Sequence, residues 1–200
     1  MAKADFFKRF GLFVVPQFFD AQTCKDLRAA AQQSTATHAT VYDGSDAEKL
    51  DADVRRTLRA HVPAEVVERV TARLTAVKPA IEEHFAVPLS AIREPQFLVY
   101  RVGDFFSAHR DASPDDPPNV RIRKVSLVIF LNGEASGNDP TSFAGGSLVF
   151  YDLLDEPKLG HRGLPLTGEE GVLVAFPAHV VHRVSPVTAG ERHTIVTWFT

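Results

Sequence analysis

The sequence predicts a mainly β domain with helices at its N-terminal side, its second half forming an antiparallel sandwich or barrel. Three observations carry this. Fifteen Phe stand against one Trp, one Met and three Tyr, and Phe favours strands. Helical periodicity is confined to the residues before Pro95. After Pro95, short apolar runs alternate with Gly, Pro, Asp and Asn clusters, and no helix separates them. A chain of 200 residues with 44% hydrophobic and 24% charged residues can bury one full core. We therefore expect a single domain, 1–200, with a helical support region at 1–95 and a β-barrel core at 96–200.

Each element has its own signal. Gly11–Val15 reads as a short strand. Asp20 is placed to cap a helix over Ala21–Gln33. Thr40–Asp53 is polar, carries an Asp43-Gly44 turn signal and reads as a loop. Pro63 opens a second helix running to Phe85, because Val66, Val67, Val70, Leu74, Val77 and Ile81 recur at helical spacing. Pro79 is expected to kink it. Strands follow at Gln96–Val102, Val120–Asn132, Ser147–Tyr151, Gly171–Phe176, Val180–Val187 and Arg192–Phe199. Loops are expected at Ala112–Asn119, Gly133–Ala144 and Asp155–Glu170. Helices that precede the strands can only cover the outside of the sheet.

Composition also excludes. A single Cys rules out a disulfide framework and any zinc site built on several thiolates, and makes the cytoplasm the expected compartment. A net charge of −3 gives no broad basic footprint, so nucleic acid is not an expected partner. The apolar stretch Phe10–Phe19 follows Lys3, Lys8 and Arg9. Pro16 and Gln17 break it, no small-residue cleavage site follows, and it is too short to span a bilayer. No membrane association is expected.

The chemistry is concentrated in two motifs. The first is His109-Arg-Asp111. On a strand, residues two apart face the same side, so His109 and Asp111 can reach one metal ion. The second runs from His179-Val-Val-His182 to Arg192. Two imidazoles and one carboxylate form the facial arrangement that leaves open positions on non-haem Fe(II). Those positions suit a bidentate 2-oxo acid and O₂. Such an acid with a distal carboxylate needs a fixed cation, and the fork of Arg binds carboxylate through two hydrogen bonds. Arg192, Thr194, Val196 and Trp198 share one strand face. If that face lines the barrel interior, a buried Arg192 requires an anion.

The order His-x-Asp, then a distant His, then a basic residue ten positions on resembles the 2-oxoglutarate/Fe(II)-dependent dioxygenases. The segment His182-Arg-Val-Ser-Pro-Val-Thr-Ala-Gly-Glu-Arg192 is similar to the C-terminal signature of their prolyl-4-hydroxylase-like branch. The strand ending Phe130-Leu-Asn132, the Gly145-Gly146 pair, Gly171–Phe176 and the opening Phe13–Asp20 resemble it too. The resemblance implies a double-stranded β-helix (jelly-roll) core behind N-terminal helices. It implies that His109, Asp111 and His182 bind iron, that Arg192 pairs with 2-oxoglutarate and that Tyr100 hydrogen-bonds this cosubstrate. It further implies O₂ as oxidant, ascorbate as reductant, and hydroxylation of an unactivated C–H bond with release of succinate and CO₂.

His179 competes with His182 for the third ligand position, and only His182 has the ten-residue spacing to Arg192. Trp198 reads as core packing, and Asp115 and Asp116 as a solvated acidic turn rather than a site for a cationic or amine-bearing substrate. Substrates in view are a prolyl residue of a protein or peptide, a free amino acid or another small molecule. The last strand lacks the Arg-x-Asn-x-Thr-x-Arg pattern of the nucleic-acid-repair branch: it reads Arg192-His-Thr-Ile-Val-Thr-Trp198. Two rival readings remain. One is a cupin-like metalloprotein that uses no 2-oxo acid, which would leave Arg192 without a role. The other is a non-catalytic binding module on the same fold.

Overall fold

The strand Val125–Phe130 is buried along its whole length, and its two faces meet different neighbours. Val125, Leu127 and Ile129 pack with Leu27 and Leu74 of the helices. Val128 and Phe130 pack with Leu148, Phe150 and Phe176. Strand alternation thus places this strand between a helical layer and a second sheet.

The computed structural model describes residues 7, 9–42, 48–135, 141–153 and 162–200. The first half runs β1 (Phe13–Val15), α1 (Ala21–Gln33), β2 (Ala36–His38), β3 (Val41–Tyr42), β4 (Glu48–Lys49), β5 (Arg55–Arg56), β6 (Leu58–Ala60) and α2 (Ala64–Phe85). The second half begins with β7 (Gln96–Tyr100), β8 (Phe105–His109), the short α3 (Pro118–Arg121) and β9 (Val125–Phe130). It continues with β10 (Phe143–Gly145), β11 (Leu148–Phe150), β12 (Leu164–Leu166) and β13 (Leu173–Pro177). It ends with β14 (His182–Val184), β15 (Val187–Gly190) and β16 (Arg192–Phe199).

The larger sheet has the order β1-β13-β9-β16-β7-β6-β2, and the smaller one β12-β11-β14-β8-β5. Both are antiparallel throughout. The two sheets face each other across an apolar layer and form the expected jelly roll. Asp20 accepts a hydrogen bond from the Thr23 N–H at 2.7 Å, so α1 begins where the sequence places its cap. Cys24, Leu27 and Ala31 of α1, with Val66, Val70, Leu74 and Ile81 of α2, cover the outer face of the larger sheet. Among the described residues no helix is long and apolar enough to cross a membrane.

Several expectations change. The first 95 residues do more than supply helices: β1, β2 and β6 extend the larger sheet, and β5 extends the smaller one. The strand expected over Val120–Asn132 begins only at Val125, because Pro117 and Pro118 start the helical turn α3. The strand expected over Val180–Val187 is divided at Ser185-Pro186 into β14 and β15, which join different sheets. The loop Thr40–Asp53 carries the hairpin β3–β4, and its Asp43-Gly44 turn signal lies outside the described residues. At the end of the expected loop Gly133–Ala144 and within Asp155–Glu170, Phe143–Gly145 and Leu164–Leu166 pair as strands. Helix α2 runs from Ala64 to Phe85 with Pro79 inside it.

Candidate active site

Register brings the first motif to the second. In the β14–β8 pair, His182 stands directly opposite His109. Asp111 lies just past the end of β8, where the Asp111 and Ala112 N–H groups both donate to the Ala178 carbonyl. One ligand atom from each of His109, Asp111 and His182 lies within 4.8 Å of the others. Asp111 is therefore positioned by a backbone clamp at a strand end, not by alternation within the strand.

The two imidazoles are fixed in tautomer and direction. The His109 Nδ1–H donates to the Ser107 carbonyl at 2.8 Å, and the His182 Nδ1–H to the Val180 carbonyl at 2.9 Å. Each Nε2 lone pair is left facing Asp111, at 3.6 Å from one of its oxygens. The Ser126 hydroxyl donates to Asp111 Oδ2 at 2.6 Å. Burial alone would raise the Asp111 pKa. The neighbouring His182 and His109, with the Ser126 hydroxyl, hold the carboxyl well below the ordinary range. Burial, reinforced by His109, pushes His182 down to about 4, so its ring is neutral and ready to ligate at pH 7. Phe106 stacks on the His109 ring with centroids 3.5 Å apart.

Arg192 closes the far end. It is 1% exposed and sits among Tyr100, Phe130 and Phe143, its guanidinium carbon 5.1, 5.0 and 5.9 Å from their ring centres. Its Nη1 donates to Thr194 Oγ1 at 3.2 Å, and its buried Nε has no acceptor. Burial pushes its pKa down to about 10, against the pull of Tyr100 and Glu134. A guanidinium this deep, with no carboxylate paired to it among the described residues, is half of an ion pair. A carboxylate-bearing ligand is what it fits.

His109, Asp111, His182, Tyr100 and Arg192 all line one cavity of about 170 Å³. The candidate residues are thus brought together without exception. His179 is exposed and contributes only its carbonyl, which accepts from Arg110 Nε at 3.0 Å. His193 faces away from the cavity, towards Glu191 and Asn132. Trp198 is buried, as the packing reading expects, and also lines the cavity, with the Arg123 guanidinium 4.0 Å from its ring centre. The expected acidic turn is local structure: Asp116 Oδ2 accepts from the Ser113 N–H at 2.6 Å.

Sequence reading missed several residues. Ser126 carried a usable signal as the one polar residue in the run Val125–Phe130. Arg55, Arg59 and Arg123 line the cavity, yet nothing in their local sequence marks them. Gly146 has φ +63, and a Cβ there would meet Arg192 Cδ at 2.9 Å. Its hydrogen makes room for the buried cation.

Residues 95–200 match the family described as the 2OG-Fe(II) oxygenase superfamily. The chain belongs to that superfamily. As a 2-oxoglutarate- and Fe(II)-dependent oxygenase it is an oxidoreductase, and its His-Asp-His cluster and buried Arg192 suit those two groups. A PKHD-type hydroxylase of Sphingopyxis alaskensis is 28% identical over 179 residues, spanning 88% of this chain and 75% of that one. A Pseudomonas putida prolyl-4-hydroxylase structure superposes with a TM-score of 0.69 at 24% identity, covering 94% of this chain and 91% of the other. A Trichoplax adhaerens prolyl hydroxylase in complex with a hypoxia inducible factor oxygen degradation domain peptide gives a TM-score of 0.73 at 14% identity. That match covers 94% of this oxygenase and 83% of the other chain.

Proposed function

We propose that this oxygenase hydroxylates a prolyl residue of a protein or peptide, or a small amino-acid-like substrate. One O₂ is consumed per turnover. One oxygen atom enters the substrate as hydroxyl and the other enters succinate, while the 2-oxoglutarate C1 leaves as CO₂. The observation that carries this is the buried Arg192, which faces the same cavity as His109, Asp111 and His182. A cupin-like site without a 2-oxo acid, or a module that only binds, leaves that guanidinium unexplained. The relatives named as hydroxylases support the same reading.

His109, Asp111 and His182 would hold the iron through two Nε2 atoms and a carboxylate oxygen. Arg192 would pair with the distal carboxylate of 2-oxoglutarate, beside the Tyr100 ring. When bound, these two groups supply O₂ activation for attack on an unactivated C–H bond. The chain's own work is geometric and electrostatic. Ser126 holds Asp111, the Ser107 and Val180 carbonyls hold the imidazoles, and Phe130, Phe143 and Tyr100 keep water from Arg192. We further propose ascorbate as the reductant that keeps iron ferrous. We place the protein in the cytoplasm, a compartment suited to its single, free Cys24.

The test is stoichiometric. With Fe(II), ascorbate and 2-oxoglutarate, succinate should accumulate, and a prolyl substrate should gain one oxygen mass per succinate. Arg192→Ala should raise the 2-oxoglutarate KM by at least tenfold. Succinate formation that survives His109→Ala, Asp111→Ala and His182→Ala combined would overturn the assignment.

A further inference from the structure

Besides Arg192, four arginines line the cavity from separate parts of the chain: Arg55 on β5, Arg59 on β6, Arg110 between the metal-motif residues, and Arg123 ahead of β9. The chain as a whole carries a net charge of −3, so this concentration runs against the sign of the molecule. Besides Asp111, Asp116 is the acidic residue lining the cavity among the described residues, and its Oδ2 is engaged by the Ser113 N–H. Within the metal centre the charges offset one another: iron(II) and Arg192 against Asp111 and dianionic 2-oxoglutarate. The positive surplus therefore belongs to the rim, where the substrate must lie.

The rim arginines are also oriented. Arg55 lies over Phe106, 4.7 Å from its centre, on the ring that stacks against His109. Its Nη1 donates to the Thr40 carbonyl at 3.0 Å, while its buried Nε has no acceptor. Arg59 stands opposite Leu98 in the β6–β7 register, on the cavity face of the sheet. Among the described residues its ion-pair partner is Glu94, 2.7 Å away and 65% exposed, a solvent-facing pair that an incoming carboxylate can replace. Two guanidiniums from opposite sheets thus line the cavity that the metal cluster also lines. Arg is the side chain whose fork matches carboxylate.

We propose that the substrate is anionic: it carries a carboxylate close to the carbon that is oxidised, held between Arg55 and Arg59. This rests on the hydroxylase reading above and names its substrate class. The carboxylate can come from an Asp or Glu beside the target residue in a peptide, or from a free amino acid with a second carboxyl group.

The test uses matched prolyl peptides flanked by Glu, Ala or Lys, together with free glutamate and proline. Trp198, the chain's single Trp and part of the cavity wall, reports binding by fluorescence in protein loaded with Mn(II) and 2-oxoglutarate. Glu-flanked peptides should bind at least tenfold more tightly than Lys-flanked ones, with the margin shrinking as salt rises. Arg55→Gln with Arg59→Gln should reduce that margin below threefold, and Arg55→Lys should keep most of it. Circular dichroism confirms that each variant folds. Binding of free glutamate without peptide binding supports the proposal and assigns a small-molecule source. Equal or tighter binding of Lys-flanked peptides, a margin unchanged in the double variant, or tighter binding of a single-stranded oligonucleotide would overturn it. Charge-selective binding with no succinate from any substrate would instead sink the hydroxylase reading and leave the anionic preference standing.

Discussion

Ser126 shows how one side chain controls the site. Its hydroxyl is buried and takes up one lone pair of Asp111, fixing which carboxylate oxygen remains for a metal. Ser126→Ala should weaken divalent metal binding about tenfold, since removing such supporting hydrogen bonds typically costs 10- to 100-fold in affinity. Titration with Mn(II), followed by electron paramagnetic resonance, measures it; unchanged affinity would mean that Asp111 is held by the Ala178 carbonyl clamp alone. His179 and His182 provide a second contrast. His182→Ala should abolish metal binding in the same titration, and His179→Ala should leave it intact, because the His179 side chain is exposed. Cys24 behaves as a core residue. Burial is the main cause that pushes its thiol up to about 11, so almost no thiolate exists at pH 8. Native protein should resist iodoacetamide, and denatured protein should take up one equivalent; rapid native labelling would contradict its burial.

At the scale of elements, the turn joining β10 and β11 sets the shape of the cosubstrate end. Gly145 and Gly146 both have positive φ, and at Gly145 a Cβ would meet the Pro186 carbonyl oxygen at 2.4 Å. Gly146→Ala adds a methyl 2.9 Å from Arg192 Cδ in a conformation that L residues rarely adopt. It should raise the 2-oxoglutarate Kd at least tenfold, read by calorimetry with Mn(II), and leave Mn(II) affinity itself within twofold. Equal losses of both would instead indicate a collapsed barrel. How much of this was legible depended on how local each signal was. Asp20, the α2 stripe and the alternation in β16 are local patterns, and they predicted helix start, helix face and strand face correctly. Arg192 was legible because its strand face and its spacing from His182 are both linear. The start of β9 was not, since β propensity in Val120 and Ile122 gave way to the Pro117-Pro118 turn. Arg55 and Arg59 were unreadable for a different reason. They reach the cavity only because β5 and β6 pair with β8 and β7, and that long-range pairing leaves no periodic trace in segments of two and three residues.

At the scale of the molecule, the helical layer and the barrel are tied by a polar seam. Arg28 of α1 bonds the Leu131 carbonyl and pairs with Glu170. Asn132 accepts from the His193 N–H at 2.9 Å and donates to the Glu191 carbonyl at 2.8 Å. His193 lies in this seam at 3% exposure, its Nε2 3.4 Å from Glu191 and its buried Nδ1 without a partner. Burial lowers its pKa below the ordinary 6.5, outweighing the attraction of Glu191, and Arg28 adds to the lowering. The folded ring is therefore the weaker base. Below pH 6.5 the unfolded chain takes up a proton that the native seam resists, so stability falls as pH falls, by at most about 1.4 kcal/mol per pH unit from one such group. For a chain of 200 residues, 1 kcal/mol corresponds to roughly 2–4 °C in Tm. His193→Gln keeps a neutral side chain of similar reach and removes the titration. Between pH 7.5 and 5.5 the wild type should lose more Tm than the variant, by about 2–5 °C, with the divergence opening below pH 6.5. Parallel Tm curves across that range would show that Glu191 offsets burial and His193 titrates alike in the folded and unfolded chain, and a smaller loss in the wild type would show that Glu191 outweighs burial.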